Sequence, residues 1–230
     1  MKTIGFIGGM SWESSAIYYQ LANRLVKKRL GQSHSSQNIM LSVDFQEIAE
    51  LQHAGKWEEL TSIMVDAAVK LEKAGAESIV ICTNTMHLMA PDVQQAVSIP
   101  LLHIADAVGE AIKARGIDTV ALLGTGFTME KGFYKEMLEA KFGIGVITPD
   151  EGDRALVHNI IYRELVRGIF RPESRDIYGQ VIGRLQERGA GGVILGCTEI
   201  PLLIQQEHVE IPLFDTTTIH AEKAVEWQLG

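Results

Sequence analysis

The chain has 230 residues, enough for one large domain or two smaller ones around a buried core. It is 46% apolar and 22% charged, the balance of an ordinary globular protein. Its net charge of −8 disfavours nucleic acid or an anionic membrane as partner, since both require a basic patch.

Taken in order, the chain alternates short apolar runs with helical patterns. "MKTIGFIGGM" opens with an apolar segment too short for a signal peptide, and it runs straight into glycines, as a buried strand (3–8) does. A helix is predicted over 12–29; its end, "RLVKKRL" (24–30), reads as solvated. A polar loop, "GQSHSSQN" (31–38), leads to a strand at 39–45. The helix predicted at 58–74 has Gly75 where a C-cap would stand. Then come a strand at 78–83, a helix at 87–97, a strand at 100–104 and a helix at 105–115. The second half predicts a strand at 119–124, a helix at 129–141, a strand at 144–149, helices at 151–169 and 174–189, and strands at 192–197 and 211–216. The strand runs do not alternate polar with apolar, so they read as strands buried on both faces of parallel sheets. The class is α/β, doubly wound. No apolar stretch reaches the length of a membrane span.

An internal echo runs through the chain. "IGFIGGM" (4–10) resembles "VALLGTGFTM" (120–129), "VICTNTMH" (80–87) resembles "LGCTEIPL" (195–202), and "SIPLLHIADA" (98–107) resembles "EIPLFDTTTIHA" (210–221). The shift between partners is near-constant and shrinks slightly at each step, as loop-length changes would make it. Such an echo points to a duplicated, pseudo-symmetric pair of domains. Residues 1–104 plus 211–230 are expected to form one lobe and 105–210 the other.

Ligands of parallel sheets bind beyond the carboxyl ends of the strands. Four small polar clusters fall at such ends: Gly8–Met10 with Ser11, Thr83–Thr85, Gly124–Thr128 and Cys197–Glu199. Two facing lobes would bring them to one interdomain cleft rich in hydroxyls and helix-start N–H groups, which suits a carboxylate ligand. Two cysteines make no disulfide framework, so a reducing, cytoplasmic setting is expected. Cys82 reads as a buried core thiol. Cys197 follows a glycine at a strand end and reads as reactive. Inverting a stereocentre by proton transfer needs one group on each face of the carbon, and a thiol tuned toward neutral pH serves as such a base. The histidines are scattered and the cysteines lie far apart, without metal-ligand spacing, so no metal is expected. His87 and His220, just inside helices, read as capping or packing residues; His87 could also tune the surroundings of Thr83.

The stretches "GFIGGMSWESSAIYY", "CTNTMH", "LLGTGFTMEKGFY", "ILGCTEIPLL" and "FDTTTIHAEKAV" together resemble the aspartate/glutamate racemase family over almost the whole chain. That resemblance implies an isomerase acting on a small amino acid without pyridoxal phosphate or metal, built from two pseudo-symmetric domains and usually a homodimer. It also implies two catalytic cysteines, one per domain. Here the sequence departs: Thr83 occupies the first of those positions and Cys197 the second. Cys82 cannot substitute, because adjacent strand residues face opposite ways.

By the same resemblance, Cys197 would deprotonate the L face and Thr83 would serve the other. An asymmetric enzyme is expected, processing L-aspartate or L-glutamate measurably and the D-enantiomer more slowly. Substrate contacts are expected from Met10, Ser11, Gln52, Asn84, Thr85, Met86, Thr125, Thr128, Thr198 and Glu199. Arg167 matches a basic position that binds a side-chain carboxylate in some relatives; Arg163 is its neighbour. Two rivals stay within reach, a non-catalytic amino-acid-binding protein and a maleate-type isomerase of a small diacid. A dinucleotide enzyme fits poorly: "GFIGGM" is not G-x-G-x-x-G, and Asp44 lies too far along for a ribose-binding acid.

Overall fold

Strands that are apolar on both faces need helices on both faces, and parallel pairing forces each connection to cross over. The computed structural model describes residues 1–230 and divides the chain into two units: Met1–Ile104 with His220–Gly230, and Ala105–Ile219.

The first unit contains, in chain order, β1 (Ile4–Gly8), α1 (Trp12–Leu30), β2 (Asn38–Ser42), α2 (Phe45–His53), α3 (Trp57–Lys73), β3 (Ser78–Ile81) and α4 (Ala90–Ala96). A 3₁₀ turn, Thr85–Met89, precedes α4. The sheet order is β2-β1-β3, all parallel, with Ile4 level with Asn38 on one side and Ser78 on the other. Alternate residues sort to opposite faces. Ile7, Ile79 and Ile81 pack on Leu60, Met64, Ala67, Ala68 and Leu71 of α3, and on Ile48 and Val93. Ile4, Phe6, Val80 and Cys82 pack on Tyr18, Ala22 and Val26 of α1, and on Ala221, Ala224 and Val225. The apolar positions of α3 fall on one helical stripe. The helix ends as expected beside Gly75: Ala76 N–H bonds Leu71 C=O and Gly75 N–H bonds Glu72 C=O.

The second unit follows: α5 (Ile104–Ala114), β4 (Thr119–Gly124), α6 (Gly126–Glu130), α7 (Phe133–Phe142), β5 (Gly145–Ile147), α8 (Glu151–Arg163), α9 (Pro172–Glu187), β6 (Val193–Gly196), α10 (Ile200–Leu203) and β7 (Leu213–Asp215). The last helix, α11 (Thr216–Leu229), begins here and returns the chain to the first unit. The sheet order is β5-β4-β6-β7, again parallel. Ala121, Leu123, Val193 and Leu195 pack beneath Val157, Ile160 and Ile161 of α8 and Tyr178, Val181, Ile182 and Leu185 of α9.

The two sheets share one plan. β1, β2 and β3 occupy the places that β4, β5 and β6 hold in the second sheet, as the internal echo predicts. The fourth place differs. The strand expected at 100–104 is reduced to a single parallel bridge, Ile79 to Leu101, whereas β7 is a full neighbour of β6. That pairing also places residues 211–219 in the second unit, not with the first lobe as the echo suggested. The helix expected at 129–141 is two, α6 and α7, and the one expected at 151–169 stops at Arg163 before a 3₁₀ turn, Leu165–Arg167, that closes on Gly168 (φ 69°).

Candidate active site

Polar side chains gather at the carboxyl ends of the central strands because each strand there hands over to a helix start, where unpaired N–H groups demand acceptors. Ser11 caps α1, Asp44 caps α2, Thr125 caps α6 and Asp150 caps α8, each accepting from a backbone N–H in the first turn. Asp44 thus has a local role that does not involve a ribose.

In the second unit, Gly124 pairs level with Gly196, and Cys197 is the next residue beyond. A Cβ on Gly124 would lie 2.9 Å from Gly196 O and 3.1 Å from Thr128 Cβ; one on Gly196 would meet Leu123 O at 2.9 Å. The two strand ends can approach this closely only because neither carries a side chain. Thr128 closes over both, with its hydroxyl 3.2 Å from that of Thr125. Beside them, Cys197 Sγ donates to Glu199 Oε2 at 2.9 Å, and Thr198 Oγ1 donates to the same oxygen at 2.8 Å. All three residues are at least nine-tenths buried. Burial pushes the Cys197 thiol well above its ordinary range, and the adjacent Glu199 charge pushes it further. The resting group is therefore a thiol whose proton points at a carboxylate.

Tyr162 and Tyr178, which the sequence reading did not single out, share this environment. Burial, and after it the charges of Cys197 and Glu199, push the Tyr162 phenol up to about 12. Tyr178 packs in the same core as Cys197 and donates to Val157 C=O at 3.4 Å. The only signal in sequence was their position on apolar helix faces, which core tyrosines share. Tyr162 lies tilted against His158, with ring centres 4.7 Å apart and 42° between the planes, and His158 Nδ1 accepts from Gly126 N–H at 3.0 Å. A cavity of about 420 Å³ opens there, lined by Gly126, Phe127, Glu130, Arg154, His158 and Asn159 among others.

In the first unit the register runs to Ile7 level with Ile81, and Cys82 N–H bonds Ile7 C=O. Cys82 and Thr83 follow directly as the chain leaves the strand after Ile81. Cys82 faces away with Val80 into the α1 side of the core, fully buried, and burial pushes its thiol far up. Thr83 is half-buried, while Asn84, Thr85 and Met86 are buried. Gln52, at the end of α2, is buried as well, and its Nε2 approaches Met86 Sδ at 3.2 Å. A helix after the second strand was not predicted, yet it is what carries Gln52 inward.

Gly9 shapes the turn that follows β1. Its φ is +92°, and an added Cβ would sit 2.1 Å from Val43 O. Gly9 N–H bonds Ser15 Oγ, and Ser15 Oγ bonds Ser11 C=O, so Met10 and Ser11 are held at the strand end.

Thus the structure brings Cys197, Thr198 and Glu199 together, Thr125 with Thr128, and Gln52 with Met86. Arg167 stands apart from these contacts: it is exposed on its 3₁₀ turn, and Arg163 is exposed at the end of α8. No group of three or more His, Cys, Asp or Glu is arranged to hold a metal ion. No helix is long and apolar enough to cross a membrane.

Comparison with known proteins adds the following. The model of the Asp/Glu/Hydantoin racemase family matches residues 7–224. A crystal structure of a candidate Asp/Glu racemase from Yersinia pestis is 51% identical and covers all of both chains, with a TM-score of 0.95. An aspartate racemase homologue from Pyrococcus horikoshii is 36% identical over all of both chains, with a TM-score of 0.88. Among characterised sequences, the broad specificity amino-acid racemase RacX of Bacillus subtilis is 28% identical over 75% of this chain and 74% of its own.

Proposed function

The chain belongs to the Asp/Glu/hydantoin racemase family, and from that premise we propose that it racemises a small amino acid by proton transfer at Cα, with L-aspartate or L-glutamate as substrate. The observation that carries this reading is the thiol of Cys197 donating to Glu199 Oε2 at 2.9 Å. A thiol must lose its proton to act as a base, and here the acceptor is already in line.

Glu199 takes the thiol proton, and the thiolate then removes the Cα hydrogen from the L face. The resulting carbanion is reprotonated on its other face from Thr83, whose hydroxyl is replenished from water. Asn84, Thr85, Thr125, Thr128 and Thr198 are the proposed donors to the substrate carboxylate, and Met10, Ser11, Gln52 and Met86 are proposed as further substrate contacts. Arg167 is proposed as the partner of a side-chain carboxylate. The reading requires the ends of β3 and β6 to address one substrate.

Thr83 makes the two directions unequal. A hydroxyl is a far weaker acid than a thiol, so it is a poor base when the D-enantiomer must be deprotonated. Enantiomers have equal free energy, so kcat/KM must be the same in both directions. The asymmetry therefore lies in kcat and KM separately. In deuterated water at saturating substrate, loss of the Cα hydrogen should be faster from the L- than from the D-enantiomer. Equal saturating rates would sink the assignment of Thr83. Thr83→Cys should raise the saturating rate from the D-enantiomer by on the order of a hundredfold or more, the usual worth of a competent general base. Cys197→Ala should abolish exchange from both. Tight amino-acid binding by the wild type without any Cα exchange would replace this reading with that of a binding protein.

A further inference from the structure

His87 is fully buried, in no proposed catalytic step, and bonded at both ring nitrogens. Nδ1 lies 2.8 Å from Thr83 C=O, a group that can only accept. Nε2 accepts from Ile104 N–H at 3.2 Å. Those two partners settle the tautomer: the ring is neutral, with its proton on Nδ1. The imidazole therefore spans from the peptide carrying the Thr83 side chain to the backbone at the start of α5. His103 and His220 wall it in, with ring centres 4.6 Å and 5.6 Å away. The His87 backbone N–H also bonds Asn84 C=O at 3.1 Å, so one residue grips the Thr83–Thr85 turn twice. A helix-capping role would need one of these bonds; packing would need neither.

We propose that His87 is the positioning residue for the Thr83 face of the reaction: its Nδ1–H fixes the Thr83 carbonyl and so aims the Thr83 hydroxyl at the carbanion. This rests on the two-base reading above. Its consequence is selective. Cys197 belongs to the other unit, so loosening the Thr83 turn should slow reprotonation on one face only. The carbanion then returns more often to the Cys197 side. Deuterium enters the residual L-enantiomer there, once the thiol has exchanged with solvent.

The test follows L-substrate in deuterated water, measuring D-enantiomer formed and label appearing in the remaining L-enantiomer. His87→Leu keeps the volume and removes both ring bonds. It should lower D-enantiomer formation by about tenfold or more, the scale of a small misplacement of a reacting group, while labelling of residual L-enantiomer stays at or above the wild-type rate. His87→Asn can still donate to Thr83 C=O and should recover most of the inversion rate. His87→Gln reaches toward Ile104 instead and should not. A parallel fall in inversion and L-labelling would show a merely structural role and overturn the proposal. Should His87→Leu fail to fold, the Asn and Gln variants decide alone, and equal inversion rates in these two would overturn it. A wild type that exchanges label into L-enantiomer yet forms no D-enantiomer would instead defeat the two-base reading itself, and the positioning role with it.

Discussion

At the scale of single residues, the two cysteines have opposite fates from one rule. Cys82 and Cys197 both follow apolar strand runs, but Cys82 lies on the core side of its strand and Cys197 is the residue beyond a paired glycine. Cys82 is completely buried; Cys197 retains 9% exposure beside a carboxylate. Alkylation, as pH is raised, should therefore mark Cys197 before Cys82, which stays unmodified until the chain unfolds, as peptide mass spectrometry would reveal. The pH dependence of that reaction tests the dyad. Burial is the first cause of the raised Cys197 thiol and the Glu199 charge the second. Glu199→Gln removes only the second, so its alkylation profile should move to lower pH while staying above that of a free thiol. Yet the same variant should lose racemisation, because an amide cannot take the thiol proton. A profile unmoved by the substitution would mean that the charge of Glu199 does not act on the sulfur.

At the scale of elements, the turn after β1 shows how a strand end becomes a binding edge. Gly9 takes φ +92° and lets Val43 pass within contact of its Cα, while Val43 N–H bonds Gly8 C=O. Gly9→Ala combines an unfavourable backbone region with a methyl 2.1 Å from a carbonyl oxygen, so relief needs movement of β1 or β2. It should cost roughly 2 kcal/mol or more in urea unfolding and impair catalysis through Met10 and Ser11. Retained stability would mean that the β1–β2 edge is more plastic than its register suggests. These turns were legible in sequence because glycine, serine and threonine after an apolar run carry a local signal. What was not legible depends on distant partners. Residues 100–104 read as a strand like 211–216, but only the latter found a full neighbour in the sheet. α2 was missed because "FQEIAELQH" is short and its helix start depends on the Asp44 cap. Tyr162 was missed because its significance comes from charges on a loop far along the chain.

At the scale of the whole molecule, the duplication was visible as an echo, and the strand order repeats it; the partition of residues 211–219 was not, since only pairing with β6 reveals it. The repeat is not matched in polarity. The first unit gathers a set of rings that the echo does not foretell: His87, His220 and Tyr18, all buried, with the half-buried His103. His220 Nε2–H donates to Leu102 C=O at 2.6 Å and Nδ1 accepts from Tyr18 O–H at 2.9 Å, so the ring is neutral and both nitrogens are satisfied. Burial, and then the neighbouring His103, bring His220 from an ordinary 6.5 down to about 4, and burial holds His87 well below its ordinary value. The sign follows directly. Below pH 6.5 the unfolded chain binds protons that the folded unit refuses, so stability falls with falling pH until the folded rings also titrate. For His220 alone the window runs from pH 6.5 to about 4, and the loss is roughly 3 kcal/mol at its acid end. The hydrogen-bond partners of the His87 and His220 rings are a phenol, two carbonyls and a backbone N–H, and none of those bonds offers a carboxylate to hold an imidazolium. Hydrogen exchange across this window should therefore show β1, β3 and α11 losing protection as pH falls. His220→Asn, which cannot titrate, should be less stable near neutrality but lose less on acidification. If acidification weakens that variant as steeply as the wild type, the buried imidazole is not the group through which acid acts on this unit.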